Sequence, residues 1–225
     1  YLTCYPDELK LLSAEETLYR LKDAPILLFR DEQGGQPFQI MNIPVFNLPL
    51  AELNQAWAAA DREEAIEIAR KWWKGASLVL GVSWPEVINS AAMYLGMKAL
   101  LDKYRARAIT INCLGGFYGG HIHAYPCLGF HELNNQGLVG ACEADLRSTA
   151  TMTTFGLMTG GRPGYISDPV IDISRRRIIY AHCVASNKVF GPGGPTNPYE
   201  ILTHSEDRQG AAVRSLLPAG YLTTS

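Results

Sequence analysis

Three apolar runs in the second half of the chain each end on a side chain able to bind a cation. Leu138-Val139-Gly140-Ala141-Cys142 delivers Glu143, Tyr165-Ile166-Ser167 delivers Asp168, and Ile178-Ile179-Tyr180-Ala181 delivers His182. Two carboxylates and one imidazole are hard-to-borderline donors that suit Mn²⁺, Mg²⁺ or Co²⁺ better than a thiolate-selected metal. Strand ends converge in space even when they are distant along the chain, so this pattern predicts a divalent-metal site in a cleft. The plainer reading makes Glu143 a helix cap, Asp168 a turn residue before Pro169, and His182 a hydrogen-bonded core histidine.

Other chemistry-bearing residues are less ordered. In an extended segment His121 and His123 would point the same way, and in their Gly-rich setting they read as substrate-side or solvent-facing groups. His131-Glu132 starts like a zinc-protease helix, but Asn135 stands where a second histidine is required, so that motif fails. Gly115 to Gly120 does not spell a dinucleotide fingerprint and reads as a flexible loop. The stretch His204-Ser205-Glu206-Asp207-Arg208 is either a sugar-hydroxyl contact or a solvated turn. Five cysteines (Cys4, Cys113, Cys127, Cys142, Cys183) in apolar contexts suggest reduced, buried thiols, with Cys142 and Cys183 inert. No CxxC occurs, which argues against a structural zinc knuckle.

Positioning these groups requires a sheet. Ser13 with Glu16, and Asp61 with Glu64, are capping boxes that start helices, the first ending before Pro25 and the second at Gly75. Pro25 to Phe29 reads as a strand, while Pro44 and Pro49 make Gln39 to Leu50 an extended connection or edge strand. Leu78 to Val82 reads as a buried strand. Ser83, Pro85 and Glu86 then open a helix running to about Tyr104, and Ala108 to Asn112 is a further strand. That succession predicts a βαβ unit with a parallel sheet and sites at the strands' carboxyl ends. A short helix near Phe130 to Asn134, the strand Leu138 to Cys142 and a helix capped by Asp145 follow. Beyond Gly160-Gly161 only strand-like patterns remain, Tyr165 to Ile173 and Arg177 to Val184 alternating like an antiparallel pair. The expected organisation is an α/β domain over 1–160 and a β domain over 161–225.

The 225 residues, 47% hydrophobic and 19% charged, are enough for one large or two small cores. A net charge of −2 gives no broad basic field, so nucleic acid is not an expected partner. Apolar stretches break before the roughly 20 residues a membrane span needs, and no secretory signal opens the chain. Cytoplasm is the expected compartment. Because the chain opens on Tyr1 and stops at Ser225, just after Gly220-Tyr221-Leu222, it is expected to be a piece of a longer polypeptide.

Taken in order, Ile109-Thr110-Ile111-Asn112-Cys113, Tyr125-Pro126-Cys127-Leu128, Leu133-Asn134, Ala141-Cys142-Glu143-Ala144-Asp145, Ser167-Asp168-Pro169 and Ala181-His182-Cys183 resemble the carboxyl-terminal half of the L-fucose isomerase and L-arabinose isomerase superfamily. The likeness covers most of the chain and is densest from about 77 to 215. It implies an α/β fold followed by the start of an antiparallel β-barrel, a bound Mn²⁺ (or Mg²⁺ or Co²⁺), and a homo-oligomer with sites at subunit contacts. It also implies interconversion of a pentose or 6-deoxyhexose aldose with its ketose through a cis-enediol. By resemblance Glu143 and Asp168 are metal ligands that double as acid/base groups, and His182 is similar to a metal-site histidine of the arabinose branch. His121, His123 and His204 are expected on the sugar side. The family's last metal histidine has no match before Ser225, and Ala144 stands where glycine is usual. A sugar-binding module of the same fold without turnover is the alternative.

Overall fold

The computed structural model describes residues 2–4 and 11–224, with side chains from 11 to 221. Tyr1, the Cys4 thiol and Ser225 lie outside the described residues. The elements run β1 (Leu2–Cys4), α1 (Ala14–Leu21), β2 (Ile26–Phe29), β3 (Phe38–Ile40), β4 (Ile43–Asn47), α2 (Leu50–Ala58), α3 (Arg62–Gly75), β5 (Leu78–Leu80) and α4 (Trp84–Lys103). They continue with β6 (Ala108–Ile111), α5 (Cys113–Tyr118), α6 (Cys127–Asn135), β7 (Val139–Cys142), α7 (Leu146–Met158), β8 (Val170–Asp172), β9 (Arg177–Ile179), β10 (Tyr199–Leu202), β11 (Ala212–Ser215) and β12 (Leu222–Thr224).

The main sheet has the order β3-β4-β2-β6-β7. Its last four strands are parallel, and β3 is an antiparallel edge. All residues of β2, β6 and β7 are buried, the continuous apolar runs expected of a parallel sheet covered on both faces. α7 packs on β2, β6 and β7, and α6 on β7. α4 is buried on most sides among α2, α3 and α6. At Gly96 a Cβ would come within 2.7 Å of the Trp57 backbone nitrogen, so only glycine permits this approach of α4 to α2.

Mixed α/β architecture with a parallel sheet is therefore observed, and four local expectations need correction. β5 and β6 flank α4 but belong to different sheets, so they form no βαβ unit. β5 pairs instead with β10 in parallel, in the order β11-β10-β5, and leaves Leu78 and Leu80 exposed rather than buried. β6 finds its parallel partners in β2 and β7. β4 is not an edge strand, yet β2 pairs with Val45, Phe46 and Asn47, beyond Pro44, so the missing proline N–H lies outside that ladder. The glycine run at 115–120 is largely helical, because Asn112 Oδ1 accepts from the Gly115 N–H and caps α5 three residues before the first glycine.

After Gly160 the strands form no closed barrel among the described residues. β8 and β9 make a separate antiparallel hairpin, and β10 pairs with β11 and with β5. No described helix is long and apolar enough to cross a membrane.

Candidate metal centre

β7 ends in a turn that places Glu143. Glu143 and Ala144 both take left-handed backbone angles, φ +67° and +53°, a conformation costing roughly 1 kcal/mol for each non-glycine residue. The turn is held by the Ala144 N–H donating to Ile111 O at 3.0 Å, which ties it to the carboxyl end of β6. Asp145 caps α7, its Oδ1 accepting from the N–H groups of Arg147 (2.9 Å) and Ser148 (3.0 Å). Capping thus falls to Asp145, and the Glu143 carboxylate faces the cavity.

Asp168 comes from the segment leading into β8. Ser167 Oγ donates to Ala181 O at 3.2 Å and joins that segment to the one following β9. His182 stands on the second segment with its side chain only 8% exposed. Its Nε2 lies 3.7 Å from Glu143 Oε1 and 4.0 Å from Asp168 Oδ2, and the three donor atoms lie within 4.8 Å of one another. Donors about 2.0–2.6 Å from one cation stand roughly 3–5 Å apart. The oxygen, oxygen, nitrogen set therefore fits a hard divalent ion in both chemistry and span.

Burial opposes a charge on His182, but the neighbouring Cys183 thiolate, Glu143 and Asp168 overcome it and raise its pKa to about 9. The trio opens into a cavity of about 900 Å³, walled in part by Tyr165, Val170 and Tyr180 and reaching Arg214.

The remaining predicted site residues divide. His204 lines the same cavity and is 4% exposed, whereas Ser205, Glu206 and Arg208 of its turn are exposed to solvent. His121 and His123 do not line it: His121 Nε2 sits 3.1 Å from Glu32 Oε1, and the His123 ring lies 5.8 Å from that of Trp57.

The sequence reading missed a cluster of thiols. Cys127 and Cys183 approach to 3.8 Å between sulfurs, and Cys142 and Cys113 sit nearby on the cavity wall. Cys142 is pushed up by the Cys113 and Cys183 thiols and by burial, as expected of an inert group. Cys183 is shifted the other way, well below the usual thiol range, because the Cys127 and Cys142 thiols donate to it and His182 and His204 face it. The upward shift expected for Cys183 is therefore reversed in direction. Its signal was adjacency: Cys142 precedes Glu143 and Cys183 follows His182, so the thiols must arrive with the ligands.

No known protein-family model matches the chain. Over 117 residues it is 26% identical to the sulfoquinovose isomerases of Priestia aryabhattai and Priestia megaterium, covering 52% of this chain and 26% of each relative. The sulfoquinovose isomerase of Alkalicoccus urumqiensis is 24% identical over 90 residues, 40% of this chain and 20% of the relative. The chain thus spans about a quarter of the length of the curated relatives it matches. These similarities support a relation to sugar isomerases.

Proposed function

We propose that the chain carries the metal and acid/base centre of an aldose-ketose isomerase related to the fucose and arabinose isomerases, acting on a pentose or 6-deoxyhexose. The observation that carries this is the convergence of Glu143, Asp168 and His182 within 4.8 Å at the cavity mouth. Those three residues would hold Mn²⁺ or a similar ion, whose chemistry when bound is Lewis-acid polarisation of the sugar oxygens. Glu143, the more enclosed carboxylate at 39% exposure against 83% for Asp168, takes the proton from C2 of the aldose and returns it at C1. Asp168 moves the hydroxyl proton from O2 to O1, so the carbonyl shifts with no net gain or loss of protons. Tyr165, Val170 and Tyr180 line the cavity beside this exchange.

A neutral sugar is supported by the charge on the cavity wall. Among the described lining residues the one Lys or Arg is Arg214, and its guanidinium is paired with Glu200, Nε donating to Oε2 at 2.6 Å. A sulfonate would meet no unpaired Lys or Arg among the described lining residues. A homo-oligomer is supported by the hairpin next to Asp168, where Val170, Ile171, Ile173, Ile178 and Ile179 are all exposed.

Proton NMR of the full-length protein with Mn²⁺ and candidate sugars in D₂O tests the reading. Ketose formation with deuterium entering at the reacting carbon is expected for a pentose or 6-deoxyhexose. Turnover confined to a sulfonated hexose would refute the substrate class, and absence of both ketose and exchange would refute the isomerase.

A further inference from the structure

The thiol cluster has a geometry that buried cysteines do not need for packing. Cys127 opens α6, Cys183 lies between β9 and β10, and His204 follows β10, so three distant segments bring their donors to one point. The Cys127 and Cys183 sulfurs and a His204 ring nitrogen all lie within 4.8 Å of one another. The sulfur separation of 3.8 Å matches the edge of a tetrahedron whose metal–sulfur bonds are about 2.3 Å, which works out near 3.8 Å. A disulfide would need the sulfurs to close to about 2.05 Å.

His204 is also oriented as a ligating imidazole is. Asp207 Oδ1 lies 3.3 Å from its Nδ1, without hydrogen-bond alignment, so this buried nitrogen has no hydrogen-bond partner among the described groups. Tyr125 Oη donates to Oδ2 of the same carboxylate and fixes it. A carboxylate behind the histidine, itself held by a hydrogen bond, is the usual support of a metal-bound imidazole.

We infer that Cys127, Cys183 and His204 form a second metal site, selective for a zinc-class ion and separate in its donors from the carboxylate centre. Cys142 also lies within 4.8 Å of the Cys183 sulfur, but it groups with His182 instead of with Cys127 and His204. Two thiolates and an imidazole prefer a borderline ion over Mn²⁺ or Mg²⁺, so the two centres sort metals by donor type. The ion would cross-link α6 to both segments that floor the cavity. This inference stands apart from the isomerase reading and survives its failure.

Titration of the chain with Co²⁺, followed by absorption spectroscopy, tests it. A sulfur-to-cobalt charge-transfer band with intense tetrahedral visible bands is expected, and Zn²⁺ should bleach both. Cys127→Ser should remove most of the charge-transfer intensity. Asp207→Asn, which leaves all donors in place, should weaken the metal roughly 10–100-fold. Glu143→Gln should leave the band unchanged. A wild-type spectrum without the charge-transfer band, or a band that persists at full strength in Cys127→Ser or vanishes in Glu143→Gln, would overturn the site. If Cys127→Ser does not fold, the wild-type spectrum and Asp207→Asn still decide.

Discussion

His131 and His182 are both enclosed, and they are held in opposite ways. His131 on α6 donates from Nδ1 to Ala185 O at 2.7 Å and accepts at Nε2 from Asn135 Nδ2 at 3.1 Å. Asn135 in turn donates to Asn187 Oδ1 (2.8 Å) and accepts from Ser186 Oγ (2.6 Å) and from the N–H groups of Asn187 and Lys188. Burial lowers the pKa of His131, so it stays neutral and closes a satisfied network. His182 instead faces two carboxylates at 3.7 and 4.0 Å, beyond hydrogen-bond length. A polar group whose valences are filled from within specifies architecture, whereas one facing acids at ligand spacing has capacity left for a guest.

Removing a carboxylate from the open region should cost the most activity and the least stability. Glu143→Gln is expected to lower isomerase turnover roughly 10²–10⁴-fold while shifting unfolding by less than about 1 kcal/mol, as read by steady-state kinetics and urea denaturation. A variant that keeps wild-type turnover would erase the distinction between the regions. In the closed network the balance reverses. Asn135→Ala orphans several buried partners and should destabilise the fold by about 3 kcal/mol or more in the same denaturation assay.

The closed region should also bound the pH range of stability. Tyr199 packs against His131 and donates to Trp72 O at 2.7 Å. Burial, then the nearby Glu132 charge, raises its pKa to about 12. Because the folded value lies above the unfolded one near 10, its contribution is complete below pH ~10 and is lost as pH rises toward 12, on the order of 2 kcal/mol in all. His131 acts at the other end: its folded pKa is depressed, so its contribution is present above about pH 6.5 and declines as pH falls. Denaturation of wild type and Tyr199→Phe from pH 9 to 11 checks the alkaline limb, where the difference between them should shrink with rising pH. The smallest effect belongs to Ser167→Ala. Loss of its bond to Ala181 O should loosen the Asp168 segment and weaken Mn²⁺ binding by about 2–10-fold, which calorimetry can resolve.

Local signals explain what the sequence made legible. Ser13, Asp61, Ser83 and Asp145 each cap the helix that follows through a side-chain oxygen, as their spacing implied. The largely apolar runs at Ile26, Ala108 and Val139 became the buried parallel strands. Of the three expected strand ends only that of Glu143 is observed, directly after β7; Asp168 stands before β8 instead of at a strand's end, and His182 lies three residues beyond β9. Partners distant along the chain were not readable. Nothing near Leu78 announces that its strand pairs with Glu200 to Leu202 instead of joining the main sheet. Asn135 looked like a failed metal motif, and its function as a network hub depends on Ser186 and Asn187 arriving from another segment. The thiol cluster was hidden because its members are scattered over four segments, with no short motif to join them.

The proposed centre is one cation held by Glu143, Asp168 and His182. A crystal of the chain soaked in Mn²⁺, with anomalous differences recorded at the manganese edge, tests this directly. The expected map has one strong peak about 2.0–2.6 Å from carboxylate oxygens of both Glu143 and Asp168, with His182 Nε2 turned toward it. A map with no peak at the cavity mouth, or with manganese bound by only one of the two carboxylates, would contradict it.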